Sequence, residues 1–301
     1  IGLSLVGSEM CIRDRDNKLC AITPAMSDGS GLNEFAKKYP TRFYDVGIAE
    51  QHALTFAAGL SLSGHKPVVA IYSTFLQRAY DQLIHDIAIQ NIPMLFAIDR
   101  AGIVGADGAT HSGNFDISFI RCIPNLVLMA PSNEADCYQM LNLGFNHHGI
   151  CAVRYPRGES KNQYLNKETK PIRFGSAKKI RTGKSIAILA FGTIVNTCLE
   201  VAEDINATVV DMRFVKPIDK KMIKEVCLHH NFIVTVEENV VSGGAGSAVL
   251  EALSELQLFC KTLVIGIPDK FFEHGSQKEV LKICGLDKNT IKRKIVKQHK
   301  D

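Results

Sequence analysis

Short apolar runs alternate with longer stretches of helical period along nearly the whole of this chain. Residues 19–22, 42–46, 68–72, 94–98, 126–130 and 151–155 read as strands. Residues 49–62, a segment beginning near Ser73, and residues 133–143 read as helices. Phe75, Ala79, Leu83 and Ile87 recur every four residues, as one helical face requires. Gly64 stands where a helix would end. Alternation of this kind implies a mostly parallel sheet with helices on both faces. A second alternating unit follows, with strands at 185–191, 208–212, 232–237 and 262–267 and helices at 195–205, 219–229 and 245–256. The expected class is therefore α/β, with two doubly wound domains.

The expected boundaries are 16–158 for the first domain and 184–301 for the second. Residues 159–183, polar and rich in Lys, Asn and Thr, are the expected linker. Residues 1–15 lack the compact apolar segment and cleavage pattern of a signal peptide and read as an extraneous leader. The rest of the chain then reads as part of a longer protein.

Of the 301 residues, 46% are hydrophobic and 22% charged, which is ordinary for a chain that buries a core. A net charge of +4 with scattered Lys and Arg does not imply a nucleic-acid partner. No apolar run is long enough to span a bilayer. Nine dispersed cysteines, none spaced Cys-x-x-Cys, argue against a disulfide framework or a zinc site. They fit reduced thiols and a cytoplasmic location.

The most informative loop follows the run at 94–98. Residues 99–113 carry Asp99, Arg100, Asp107 and His111 among glycines at 102, 105, 108 and 113. Ligands of open parallel sheets sit beyond the carboxyl ends of strands. Such a loop could fold its charges over a small anion. Taken singly, these residues have plainer readings. Glu50 would be a first-turn carboxylate favoured by the helix dipole. However, it opens an apolar and so buried helix, where a carboxylate needs a partner. Arg78 would pair with Asp81, Phe75 would fill the core, and Tyr72 would pack with a wet hydroxyl. Asp107 would be a turn residue and His111 a surface histidine. Arg154 and Arg157 have forks suited to anions, but would otherwise cap the domain and anchor the linker. The turn Gly243-Gly244-Ala245-Gly246 could bind an anion at a helix start. It lacks a phosphate-loop pattern and reads as a tight turn, with Glu237 and Glu238 as neighbours.

Together, Gly47-Ile48-Ala49-Glu50-Gln51-His52, residues 72–82, the 99–113 loop, residues 154–158, residues 211–217 and residues 236–246 closely resemble the 1-deoxy-D-xylulose-5-phosphate synthase family. These are thiamine-diphosphate enzymes of the transketolase-like superfamily, and the likeness runs from about Asp16 to the C-terminus. It implies a pyrimidine-binding domain followed by a transketolase C-terminal domain. It implies decarboxylation of pyruvate through a thiamine-diphosphate ylide and condensation with D-glyceraldehyde 3-phosphate, feeding isoprenoid and thiamine biosynthesis. By the same resemblance, Glu50 holds the cofactor's aminopyrimidine, Phe75 stacks on it, and Arg78 belongs to the cofactor site. Tyr72, Arg100 and Arg157 bind the triose phosphate, while Asp107 and His111 steer proton transfers. The family's Mg2+ and diphosphate are bound by an N-terminal domain whose Gly-Asp-Gly motif does not occur here. The implied fragment holds half a site and turns over little alone. The implied assembly is a homodimer. Two other readings stand beside this one. The first is the β subunit of a 2-oxoacid dehydrogenase E1, which dependence on lipoamide would mark. The second is a non-catalytic assembly module.

Overall fold

The computed structural model describes residues 16–158 and 171–300. The expected leader, and residues 159–170 of the expected linker, lie outside them. The first unit comprises β1 (Leu19–Thr23), α1 (Asn33–Lys38), β2 (Phe43–Asp45), α2 (Glu50–Leu62), β3 (Lys66–Tyr72), a composite helix α3 (73–88), β4 (Met94–Asp99), α4 (Asp116–Ile120), β5 (Leu126–Met129), α5 (Glu134–Phe145) and β6 (Ile150–Arg154). The second comprises β7 (Lys178–Arg181), β8 (Ile186–Phe191), α6 (Val195–Ile205), β9 (Thr208–Asp211), β10 (Phe214–Lys216), α7 (Lys220–His229), β11 (Phe232–Val240), α8 (Ala245–Glu255), β12 (Lys261–Ile267), α9 (Gln277–Cys284) and α10 (Lys288–Lys300).

The first sheet runs β10-β5-β6-β4-β3-β1-β2 and is parallel except for β10. Its inner strands are apolar on both faces because helices cover both. Leu19 and Ala21 face one core with Phe35 and Met140, whereas Cys20 and Ile22 face another with Leu54 and Ala57. The second sheet runs β12-β11-β8-β9-β7, with β7 antiparallel at the edge.

Three features depart from the sequence expectation. The helix after β3 is not uniform: α-helical, 3-10 and π-helical stretches succeed one another from Ser73 to Ala88. A strict four-residue apolar repeat drifts off a 3.6-residue face. The wider π turns at Leu83–Ala88 keep Leu83 and Ile87 buried. Lys178–Arg181, inside the expected linker, is a strand. Lastly, β10 leaves the second unit and adds to the first sheet, antiparallel to β5, burying Phe214. The two units thus share a sheet. They also share one apolar cluster, which holds Ile71, Ile98 and Ile120 from the first and Leu189, Val249 and Leu253 from the second.

Candidate active site

From β1 the chain passes to β2 on one side and returns as β3 on the other. That reversal opens a crevice beyond the carboxyl ends of β1 and β3, where ligands of such sheets bind. The candidate residues lie along this edge. Glu50 opens the helix after β2, Tyr72 ends β3, Arg100 follows β4, and Arg157 follows β6.

Glu50 is the first residue of α2 and is buried. Its carboxylate Oε1 accepts a hydrogen bond from Arg78 Nη1 at 3.2 Å. The plainer pairing of Arg78 with Asp81 is not the one formed, since Asp81 meets His85 at 2.8 Å. The same Arg78 guanidinium lies 5.4 Å over the Phe75 ring, joining the acid to an aromatic face. Phe75 is only half-buried. It stacks on Tyr72 at 5.2 Å and 18°, and meets the edge of His111 at 5.6 Å and 67°. Glu50, Phe75, Arg78, Tyr72 and His111 therefore form one continuous group.

Arg100 takes a left-handed backbone, φ 55°, a conformation uncommon outside glycine and concentrated at functional sites. Its guanidinium stacks on Tyr72 at 4.1 Å, donates to the Gly29 carbonyl at 2.9 Å, and pairs with Asp99. Burial pushes the Asp99 carboxyl pKa up, and Arg100 opposes that shift. Burial likewise raises the Tyr72 phenol, again opposed by Arg100. The Gly29 turn carries no motif, and sequence reading missed it. A methyl group at 29 would overlap the Tyr72 hydroxyl. Arg157 Nη1 donates to Asp107 Oδ2 at 2.7 Å, so these two sequence candidates meet each other. His111 Nδ1 lies 3.0 Å from Thr110 Oγ1. The Ser73 hydroxyl and Arg100 Nε are buried on this edge without a hydrogen-bond partner.

Two other candidates resolve differently. Arg154 is buried, donating from Nε to Asp116 Oδ2 at 2.8 Å and from Nη2 to the Glu238 carbonyl at 3.1 Å. It ties the two units together. The turn at Gly243–Gly246 closes on a carboxyl group that the chain itself supplies. The Ala245 and Gly246 amides donate to Glu237 at 2.6 and 2.7 Å. Even so, burial pushes the Glu237 carboxyl up to about 7.

Residues 10–163 match the transketolase pyrimidine binding domain, and residues 175–291 match the transketolase C-terminal domain. The chain belongs to the transketolase family. It is 59% identical over 278 residues to a 1-deoxy-D-xylulose-5-phosphate synthase of Histophilus somni, covering 92% of this chain and 45% of that one. It is 56% identical over 273 residues to a protein of the same name from Methylobacillus flagellatus, covering 91% and 44%. The chain thus spans a little under half the length of these relatives. A solved split-gene transketolase, described as an inactive beta4 tetramer, superposes with TM-score 0.86 at 27% identity, covering 98% of this chain and 96% of that one. A Campylobacter jejuni transketolase shares the fold at TM-score 0.78 and 17% identity, covering 98% and 46%.

The transketolase pyrimidine-binding domain has a donor set suited to an aminopyrimidine. Phe75 offers a half-buried aromatic ring, Glu50 offers a carboxylate for a ring nitrogen, and the Ser73 hydroxyl, buried against Gly113, has capacity to spare. Among the described residues no group of three or more His, Cys, Asp or Glu could hold a metal ion, and no helix is long and apolar enough to cross a membrane.

Proposed function

We propose that this chain supplies the pyrimidine-side half of a 1-deoxy-D-xylulose-5-phosphate synthase active site. The reaction condenses pyruvate, with loss of carbon dioxide, and D-glyceraldehyde 3-phosphate into 1-deoxy-D-xylulose 5-phosphate. The observation that carries this reading is the bridge from Glu50 through Arg78 to the Phe75 face, on the edge that also presents Tyr72, Arg100 and Arg157. The names of relatives at 56% and 59% identity support it.

Thiamine diphosphate, when bound, supplies the electron sink for decarboxylation and carbon–carbon bond formation. Glu50 hydrogen-bonds a pyrimidine nitrogen and shares a proton with it, while Arg78 fixes the carboxylate's direction. Phe75 provides the stacking surface. Arg100 and Arg157 bind the triose phosphate through charge-assisted hydrogen bonds, and the Tyr72 hydroxyl adds a further one. His111, at the rim of the aromatic group, moves protons to and from the acceptor, and Asp107 orients Arg157. The Mg2+ and diphosphate belong to a second half of the site, and the working assembly is a homodimer of complete units.

The test mixes this chain with a diphosphate-binding half, Mg2+, thiamine diphosphate and both substrates. Formation of 1-deoxy-D-xylulose 5-phosphate supports the proposal, and acyl transfer that requires lipoamide and ignores the triose phosphate overturns it.

The split-gene structure favours a companion reading of the chain alone. That protein is described as an inactive beta4 tetramer, and this chain matches it nearly end to end. By itself, this chain forms an inert self-assembly. Turnover by the isolated chain at the rate of the two-half mixture would contradict that.

A further inference from the structure

The C-terminal unit has a switch point of its own. From β8 the chain passes to β9 on one side and later to β11 on the other. A ligand crevice is expected beyond the carboxyl ends of β8 and β11. Here the first unit fills it. The Asn114 carbonyl accepts the Val240 amide at 2.8 Å, and Asn239 Oδ1 accepts the Ile117 amide at 3.1 Å. Arg154 reaches the Glu238 carbonyl, as described above.

Glu238 stands at the centre of this contact. It is buried, and its Oε1 accepts from the Thr193 hydroxyl at 3.3 Å. Its Oε2 has no side-chain partner and faces Gly102, where an added Cβ would lie 2.8 Å away. Gly102 and Gly113 exchange two backbone hydrogen bonds, at 2.7 and 2.9 Å, which close the neck of the loop bearing Asp107 and His111. A second point of the C-terminal unit touches the same loop: Gln277 Nε2 donates to the Ile103 carbonyl at 2.9 Å. The glycines at 102 and 105 are thus sites of close approach between units as well as left-handed turns.

We propose that Glu238 is a positioning residue, a carboxylate of the C-terminal unit that braces the Gly102–Gly113 neck and so fixes where Asp107 and His111 stand. A buried carboxylate must be matched by polar groups around it. Those here are the Thr193 hydroxyl, the nearby charge of the Arg154 guanidinium and the Ile103 amide beside the neck. The catalytic meaning of the loop rests on the function proposed above, but the bracing itself can be read without substrate.

The experiment is amide hydrogen exchange on the full chain, comparing wild type with Glu238→Ala, Glu238→Asp and Glu238→Gln. The Ala and Asp variants withdraw the carboxylate from Gly102. In them, the amides of residues 102, 103 and 113 should exchange at least about tenfold faster, while those of β8 and β11 stay unchanged. Gln keeps the shape and one acceptor and should stay near wild type. If Ala fails to fold, Asp carries the test. In the two-half assembly, Ala or Asp should raise KM for glyceraldehyde 3-phosphate several-fold more than KM for pyruvate. Unchanged loop exchange in a folded Ala or Asp variant overturns the proposal, and so does equal acceleration throughout the C-terminal sheet. Because exchange is read on the chain alone, a failure of the synthase reading leaves this result standing.

Discussion

Glu50 and Arg78 form an ion pair with one partner inside the protein and the other outside. The Glu50 side chain is 7% exposed and that of Arg78 is 61% exposed. Solvent screens the pair from the arginine side, so its worth to the fold is small, about 1 kcal/mol or less. Arg78→Ala should therefore shift the urea midpoint only slightly. Thiamine diphosphate affinity, measured calorimetrically in the two-half assembly, should drop several-fold because the carboxylate loses its fixed direction.

The Asp116–Arg154 pair is the opposite case, with both side chains buried. Removing one partner leaves an uncompensated charge inside the protein. Asp116→Ala should cost about 3–5 kcal/mol in urea denaturation. The double change Asp116→Ala with Arg154→Met should recover only part of that loss, because it removes the unpaired guanidinium but also takes its charge away from the buried Glu238.

Gly29→Ala places a methyl group against the Tyr72 hydroxyl, on a ring held between Phe75 and Arg100. The ring has little room to retreat. The change should lower stability by about 1–3 kcal/mol, read by thermal denaturation. Kinetics should show a raised KM for the triose phosphate with a smaller effect on pyruvate.

Asp211 is buried and accepts from the Ser132 hydroxyl at 2.6 Å. Burial pushes its carboxyl up to about 6, the Ser132 bond opposes this, and nearby Asp136 adds to it. Between about pH 4 and 6 the folded chain then binds more protons here than the unfolded chain. Asp211 thus contributes stability at low pH that is lost as pH rises through that window. Wild type minus Asp211→Asn, measured by urea denaturation across this range, should decline by up to about 3 kcal/mol. A difference that rises with pH would contradict the assignment.

The sequence reveals the inner parallel strands because each, like residues 68–72, is a buried run apolar on both faces. It reveals the site edge because Tyr72, Arg100 and Arg157 follow such runs directly. It conceals β10, whose three residues are too few for periodicity and whose partner β5 lies some ninety positions away. The Gly29 turn and the Glu238 brace are equally hidden. Each works by approaching a backbone that is remote in sequence, and an acid at a strand end looks the same with or without a loop against it. The choice of Arg78 between Asp81 and Glu50 likewise depended on a distance no spacing rule contains.

Whether Glu50 polarises a bound pyrimidine is read by Glu50→Gln in the two-half assembly. The amide keeps the shape but cannot share a proton with the ring nitrogen. Formation of 1-deoxy-D-xylulose 5-phosphate should fall by about a hundredfold or more, with the urea midpoint little changed. Synthesis at the wild-type rate would rule out that role for Glu50.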